Sequence, residues 1–152
     1  MTASSSQVIL PIIGWREWVS FPELEIPQVK AKIDTGARSS ALHAFDIERF
    51  QDNGKSMLRF KTHPIQKDKT TIVTAIAELL EVKQVRDSGG HTEMRPVILT
   101  EIALSNYSWK IEVTLTDRSS MGFRMLLGRQ AVRQRFVIDV GQSYIHNSDP
   151  QN

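Results

Sequence analysis

The amino-acid sequence predicts an all-β protein, closed into a barrel or folded as a sandwich, with one short helix on its C-terminal side. Three observations carry this. Apolar runs are short and are interrupted frequently by Gly, Pro, Asn, Asp and Ser. Several runs alternate apolar and polar residues, as a strand with one buried face requires. Only one stretch, following a late glycine, invites a helix.

Taken in order, Val8 to Ile13 reads as a strand and is followed by Gly14-Trp15-Arg16-Glu17. Val29-Lys30-Ala31-Lys32-Ile33 alternates apolar and basic residues along one strand. Met57 to Thr62, Thr70 to Ala77 and Leu79 to Arg86 are further strands. Ala75 to Val82 has helical propensity, but the β-branched run before it favours strand. Asp87-Ser88-Gly89-Gly90 is a hairpin turn, because paired glycines supply positive φ at little steric cost. Pro96 to Leu104, Trp109 to Thr116 and Phe123 to Leu127 continue the series. Arg129 to Arg135 is the helix, and Phe136 to Val140 returns to strand. Residues 8–146 form one domain between disordered polar ends, 1–7 and 147–152. No internal repeat is evident.

A chain of 152 residues, 40% hydrophobic and 24% charged, suits one globular domain. No window approaches the roughly 18 apolar residues of a membrane helix. The start lacks the basic and apolar regions of a signal peptide. The absence of cysteine excludes disulfides and thiolate chemistry and suits the cytoplasm. A net charge of +2, with basic and acidic residues interspersed, argues against nucleic acid. Arg124, Arg129, Arg133 and Arg135 read as a solvated face.

The most informative stretch is Lys32-Ile33-Asp34-Thr35-Gly36-Ala37-Arg38-Ser39. It places an acid in a tight turn after an apolar-ending strand. Hydrolysis of a peptide by carboxylates needs two of them, one ionised to accept a proton from water and one protonated to polarise the carbonyl. Asp-Thr-Gly occurs once, so such a pair requires a two-fold homodimer. By itself the loop reads also as an Asx-turn. Met125-Leu126-Leu127-Gly128-Arg129 is the second element, with Leu127, Gly128 and Arg129 supporting the loop from behind.

Other chemistry has fewer residues behind it. No His-Glu-x-x-His is present, and zinc would have to be drawn from His43, His91, Glu93 and Asp34. No Walker-type loop exists to bind ATP. Ser39 and Ser40 lack the partners of a serine triad. The Gly89-Gly90 hairpin is either a plain turn or a flap over a cleft. Trp15, Trp18 and Trp109 read as core or interface anchors.

Four segments together resemble a known family: Gly14-Trp15-Arg16-Glu17; Ala31 through Ala44; Glu112-x-Thr114-Leu115-Thr116-Asp117-Arg118; and Met125 to Arg129. The family is the RimB-like or "ATP-dependent zinc protease" group, a branch of the retropepsin-like peptidases. The resemblance implies a closed barrel of six to seven strands, with Asp34, Thr35 and Gly36 at the catalytic position. Family members accompany ATP-grasp ligases that add glutamate, which implies a peptide or glutamylated substrate and a ligase partner. Viral-type retropepsins carry an acid four residues after the catalytic Asp, paired with the later arginine. Here that position is Arg38, so either Arg129 finds another acid, Asp139 or Glu112, or the dimer is built differently.

The sequence thus predicts a retropepsin-like barrel and a homodimeric, Asp34-centred peptidase. Ala37, Arg38, Ser39, His43, Gly89 and Gly90 are its expected substrate contacts, with no cofactor and no membrane or nucleic-acid partner. A metal-assisted hydrolase using His43, His91 or Glu93 and a silent peptide-binding module are the alternatives.

Overall fold

Alternation becomes strand wherever the chain can bury one face. In the segment Tyr107–Thr116, Trp109, Ile111 and Val113 are buried while Ser108, Lys110 and Glu112 face solvent. A computed structural model describes residues 9–86 and 89–146. The expected disorder of 1–7 and 147–152, and the residues Val8, Asp87 and Ser88, lie outside the described residues.

Among the described residues there are ten strands: β1 (Ile12–Phe21), β2 (Ile26–Asp34), β3 (Ser40–His43), β4 (Phe45–Asp52), β5 (Lys55–Thr62), β6 (Val73–Arg86), β7 (Thr92–Leu104), β8 (Tyr107–Thr116), β9 (Met125–Gly128) and β10 (Val137–Ser143). A 3₁₀ turn, Pro22–Leu24, links β1 to β2, and a short helix, α1 (Arg129–Val132), follows β9. The strands hydrogen-bond in the order β10-β1-β2-β9-β3-β8-β7-β6-β5-β4. Ser20 of β1 also pairs with Ala103 of β7, which closes β1, β2, β9, β3, β8 and β7 into a six-stranded barrel. β10 lies outside against β1, while β6, β5 and β4 extend outward from β7. Phe21, Leu24, Ile26, Val29, Ile98, Ile102, Leu115, Met125 and Leu127 fill the interior. Among the described residues no helix is long and apolar enough to cross a membrane.

The fold is the closed all-β barrel that the sequence predicts, with four local differences. Gly14 to Glu17 do not follow the first strand but lie inside it, because β10 and β2 both pair with this segment. Thr70–Ala77 and Leu79–Arg86 are one strand, β6, bent by an irregularity between Leu79 and Glu81. Thr70 and Thr71 are held outside it by the Asp68 carboxylate. The sequence reading missed β3 and β4: β3 is fully buried and shows no alternation, and β4 is exposed on both faces. The helix ends at Val132, not Arg135. Arg133 leaves helical geometry at ψ 129° and Gln134 takes φ 64°, which lets Phe136 pack against Trp109 and Tyr107.

Candidate functional site

β2 and β9 run parallel and stop at the same level, so Asp34 faces Gly128 across the pair. Beyond Asp34 the chain turns sharply, and the Ala37 amide donates to the Asp34 carbonyl at 3.2 Å. The carboxylate joins the turn: Oδ1 accepts from the Gly36 amide at 3.0 Å and the Ala37 amide at 3.2 Å. Both donors fall on one oxygen, and Oδ2 takes neither. Asp34 is half-buried, while Thr35 and Gly36 are exposed.

The loop is braced from behind by β9 and α1. A Cβ on Gly128 would stand 2.4 Å from the Ser39 carbonyl oxygen, so only glycine lets the two backbones approach this closely. The Gly128 amide donates to Ser40 Oγ at 3.0 Å. The first amides of α1 are likewise satisfied by the loop, Arg129 donating to the Ala37 carbonyl at 2.7 Å and Gln130 to the Arg38 carbonyl at 3.1 Å. Arg129 Nη1 donates to the Thr35 carbonyl at 2.9 Å. Neither acid expected for Arg129 makes that contact. Asp139 instead accepts from the Gly141 amide, and Glu112 lies on the solvent face of β8. Arg38 and Arg129 stand on one face with Arg133, around a recess of 600 Å³ floored by Val132, Phe136 and Ile138.

Asp34 opens into a cleft of 710 Å³. Its described lining carries the cations Lys32, Arg38, Arg86, Arg95 and Arg118, with Asp34 the one acid among them. Ala37 and Ser39 line it too, and Met121 and Phe123 supply apolar wall. Burial lowers the Arg118 pKa, and Arg95 lowers it further, while the charge of Asp34 acts in the opposite direction. A concave site with this charge pattern attracts anions. Sequence reasoning missed the wall of Lys32, Arg86, Arg95 and Arg118, since only the fold brings β2, the β6–β7 stem and the β8–β9 segment together. The one available signal was Asp117-Arg118 in the family-like segment.

The other expected residues lie elsewhere. His43 is 1% exposed at the end of β3 and lines none of this cleft. Gly89 and Gly90 stand at the tip of the β6–β7 hairpin, whose stem residues Val85, Arg86 and Arg95 do reach the cleft. His91 and Glu93 line a smaller neighbouring pocket that shares Arg95 and Arg118 with the cleft. Glu93 Oε1 accepts from Arg95 Nε and, at 2.6 Å, from Thr116 Oγ1. Among the described residues no three His, Asp or Glu converge as metal ligands. The zinc set drawn from His43, His91, Glu93 and Asp34 therefore does not fit, and Arg95 already occupies the carboxylate. Trp109 is buried and donates from Nε1 to the Ala131 carbonyl, and Trp15 meets Phe123 edge-on.

Comparison with known proteins bears on this geometry. A family described as "RimB-like: Retropepsin-like aspartic endopeptidase RimB" matches residues 12–149. A protein of Desulfotalea psychrophila named "Probable alpha-L-glutamate ligase" is 43% identical over 89% of this chain and 29% of its own length. Proteins of the same name from Shewanella halifaxensis and Parasynechococcus marenigrum are 40% and 44% identical. The chain spans less than a third of the length of these relatives. A crystal structure of the Legionella pneumophila protein Lpg0085, of unknown function, superposes with a TM-score of 0.75 at 28% identity. The match covers 90% of this chain and 98% of that one.

Proposed function

Because the chain belongs to the RimB-like family of retropepsin-like aspartic endopeptidases, we propose that it hydrolyses peptide or glutamyl-amide bonds with Asp34 as the reacting carboxyl. The carrying observation is a half-buried Asp34, fixed by two backbone amides, at the floor of a cation-lined cleft. One chain supplies one such carboxyl. The second comes from the Asp34 of a second copy across a two-fold axis, with the exposed Thr35-Gly36 turns facing each other.

Two carboxyls a few Å apart share one proton, because both cannot ionise cheaply. The ionised member takes a proton from water, and the protonated member donates to the carbonyl oxygen of the scissile bond. The water oxygen bonds to the carbonyl carbon. Collapse of the tetrahedral species breaks the C–N bond, and the nitrogen leaves with a proton from the dyad. Lys32, Arg86, Arg95 and Arg118 suit a substrate rich in carboxylates, and the name of the longer relatives supports a product of glutamate ligation. On this reading the enzyme works in the cytoplasm beside such a ligase and needs no metal.

One observation favours a second reading. Arg38, Arg129 and Arg133 line one recess with Thr35, so pairing two copies through this loop would bring like charges together, and a chain that stays monomeric would hold peptides without cutting them. Mass spectrometry of a glutamate-rich peptide incubated with purified protein, alongside light scattering across concentrations, tests both. Cleavage by a dimer, lost in Asp34→Asn, supports the peptidase. Binding by a monomer with no cleavage supports the holding module.

A further inference from the structure

The strand order puts β3 between β9 and β8, so the segment joining β8 to β9 must pass over the end of β3. That segment, Asp117 to Arg124, supplies Arg118, Met121, Gly122 and Phe123 to the wall of the Asp34 cleft. The residue at the end of β3 is His43. Its backbone amide donates to the Arg124 carbonyl at 2.7 Å, and the Ala44 amide to the Thr116 carbonyl at 2.9 Å. Both ends of the passing segment are thereby fixed to one point.

We propose that His43 is a positioning residue for the cleft, its unprotonated Nδ1 pinning the Arg118 backbone so that the cationic wall stands opposite Asp34. The Arg118 amide donates to Nδ1 at 2.9 Å, so that nitrogen carries no proton. The ring hydrogen sits on Nε2 and is donated to His63 Nδ1 at 3.0 Å. The tautomer is therefore dictated by two partners on opposite sides of the ring. Phe45 and His63 stack with the imidazole at 5.7 and 5.2 Å between centroids, and Thr62 Oγ1 donates to the His43 carbonyl. The Arg118 side chain is held in turn by its own Nε, which donates to the Phe123 carbonyl at 3.0 Å.

The groups facing the ring are few. Arg124 lies on the β9 side, its Nε and Nη1 buried without a partner in the described structure. Asp117 and Arg118 belong to the passing segment, and His63, with Asp68 and Lys69 beyond it, lies on the β5 side. Burial, and next the Arg124 charge, lower the His43 pKa to about 4, against an opposing pull from Asp117. Asp117 Oδ1 lies 3.6 Å from Nδ1. A proton on Nδ1 would turn the ring toward that carboxylate and expel the Arg118 amide. His43 holds the wall only while neutral.

The proposal bears on catalysis through the reading of Asp34 above, but its test needs no substrate. In the uniformly ¹⁵N-labelled full chain, the His43 nitrogens report their protonation directly, and Arg118 amide exchange reports the pin. Above about pH 5 we expect an unprotonated Nδ1 and a protonated Nε2 on His43, with a protected Arg118 amide. His43→Leu should speed exchange at Arg118 roughly tenfold while leaving Leu115 in β8 unchanged. His43→Asn, whose Oδ1 can stand near the lost Nδ1, should restore protection. A proton on Nδ1 at neutral pH overturns the proposal, and so does equal Arg118 exchange in the wild type and His43→Leu. If the leucine variant fails to fold, the tautomer of the unmodified chain decides alone. A protein inert toward peptides would end the reading of Asp34 and leave this result untouched.

Discussion

Asp34-Thr35-Gly36 and Asp139-Val140-Gly141 share one plan and differ in setting. In each, an Asp Oδ1 accepts from the Gly amide two residues on, at 3.0 Å. In each, the Asp pairs across parallel strands with a glycine, Gly128 for Asp34 and Gly14 for Asp139. Each of those glycines would place a Cβ 2.4 Å from a carbonyl oxygen, Ser39 in one case and Gln142 in the other. The surroundings then part. Asp34 sits on a barrel strand, below a cleft walled by β6, β7 and the β8–β9 segment. Asp139 sits on the outermost strand, where Val140 is 80% exposed. Beside it the buried carboxylate is Glu17, whose Oε2 accepts the Gly14 and Ile145 amides at 2.7 and 3.0 Å and secures the end of β10. The Asp-to-Gly contact is common to both places, but after Asp34 the chain turns into a walled cleft, while Asp139 to Gly141 stay within β10.

That contrast can be broken by experiment, and the largest effect comes first. Asp34→Asn should abolish peptide hydrolysis while shifting the melting temperature little, and Asp139→Asn should leave turnover within about twofold. Comparable losses in both variants would mean that the setting does not distinguish the two carboxylates. Next, Gly128→Ala and Gly14→Ala each force a methyl into a backbone carbonyl, and each should cost on the order of 3 kcal/mol in denaturant unfolding. A neutral alanine at either place would show that the close approach is not required there.

A pH series separates the cleft from the outer strand more gently. His43 titrates near 6.5 when unfolded and near 4 in the fold. Between those values the unfolded chain binds the extra proton, so the contribution is fully present above about 6.5 and drains as pH falls toward 4. Melting curves should record a loss on the order of 2–3 kcal/mol across that window, absent in a folded His43→Asn variant. The smallest effect is expected from Val140→Thr, which makes this part of β10 read Asp-Thr-Gly. Stability should change by less than about 0.5 kcal/mol, and no activity should survive when it is combined with Asp34→Asn.

The same pair of segments explains what the sequence could and could not reveal. Periodicity located β5, β7 and β8, because each buries one face and leaves the other largely wet, and it located β2 although Lys30 on its polar side is buried over Trp18 and Tyr144. It could not reveal β3, whose four residues are all buried, or the parallel pairing that places Gly128 beside Asp34. The Asp34 turn was legible through its long flanking motif. The echo at Asp139 was not, since three residues with a different centre make no repeat by eye. Arg95 went unremarked and Arg118 was noted only inside a motif, for a related reason: nothing in the order of residues says which strand and which loop will face each other across a cleft. Gly14 to Glu17 were noticed as a motif, but their work lies in contacts with residues far along the chain. Arg16 Nε donates to Ser143 Oγ and Glu17 accepts the Ile145 amide, separations of 127 and 128 residues.

The parallel pairing of β2 with β9 also sets a timetable. Thr35 and the Arg129 side chain that braces it are 94 residues apart. At the roughly 5–20 residues per second of translation, Asp34 emerges several seconds before its brace does. During that interval the loop has no Gly128 behind it, no α1 amides to meet its carbonyls and no Arg118 wall opposite. A growing chain on the ribosome thus carries the acid without the geometry, and whatever Asp34 can do to another polypeptide is withheld from the neighbouring nascent chains among which it is made.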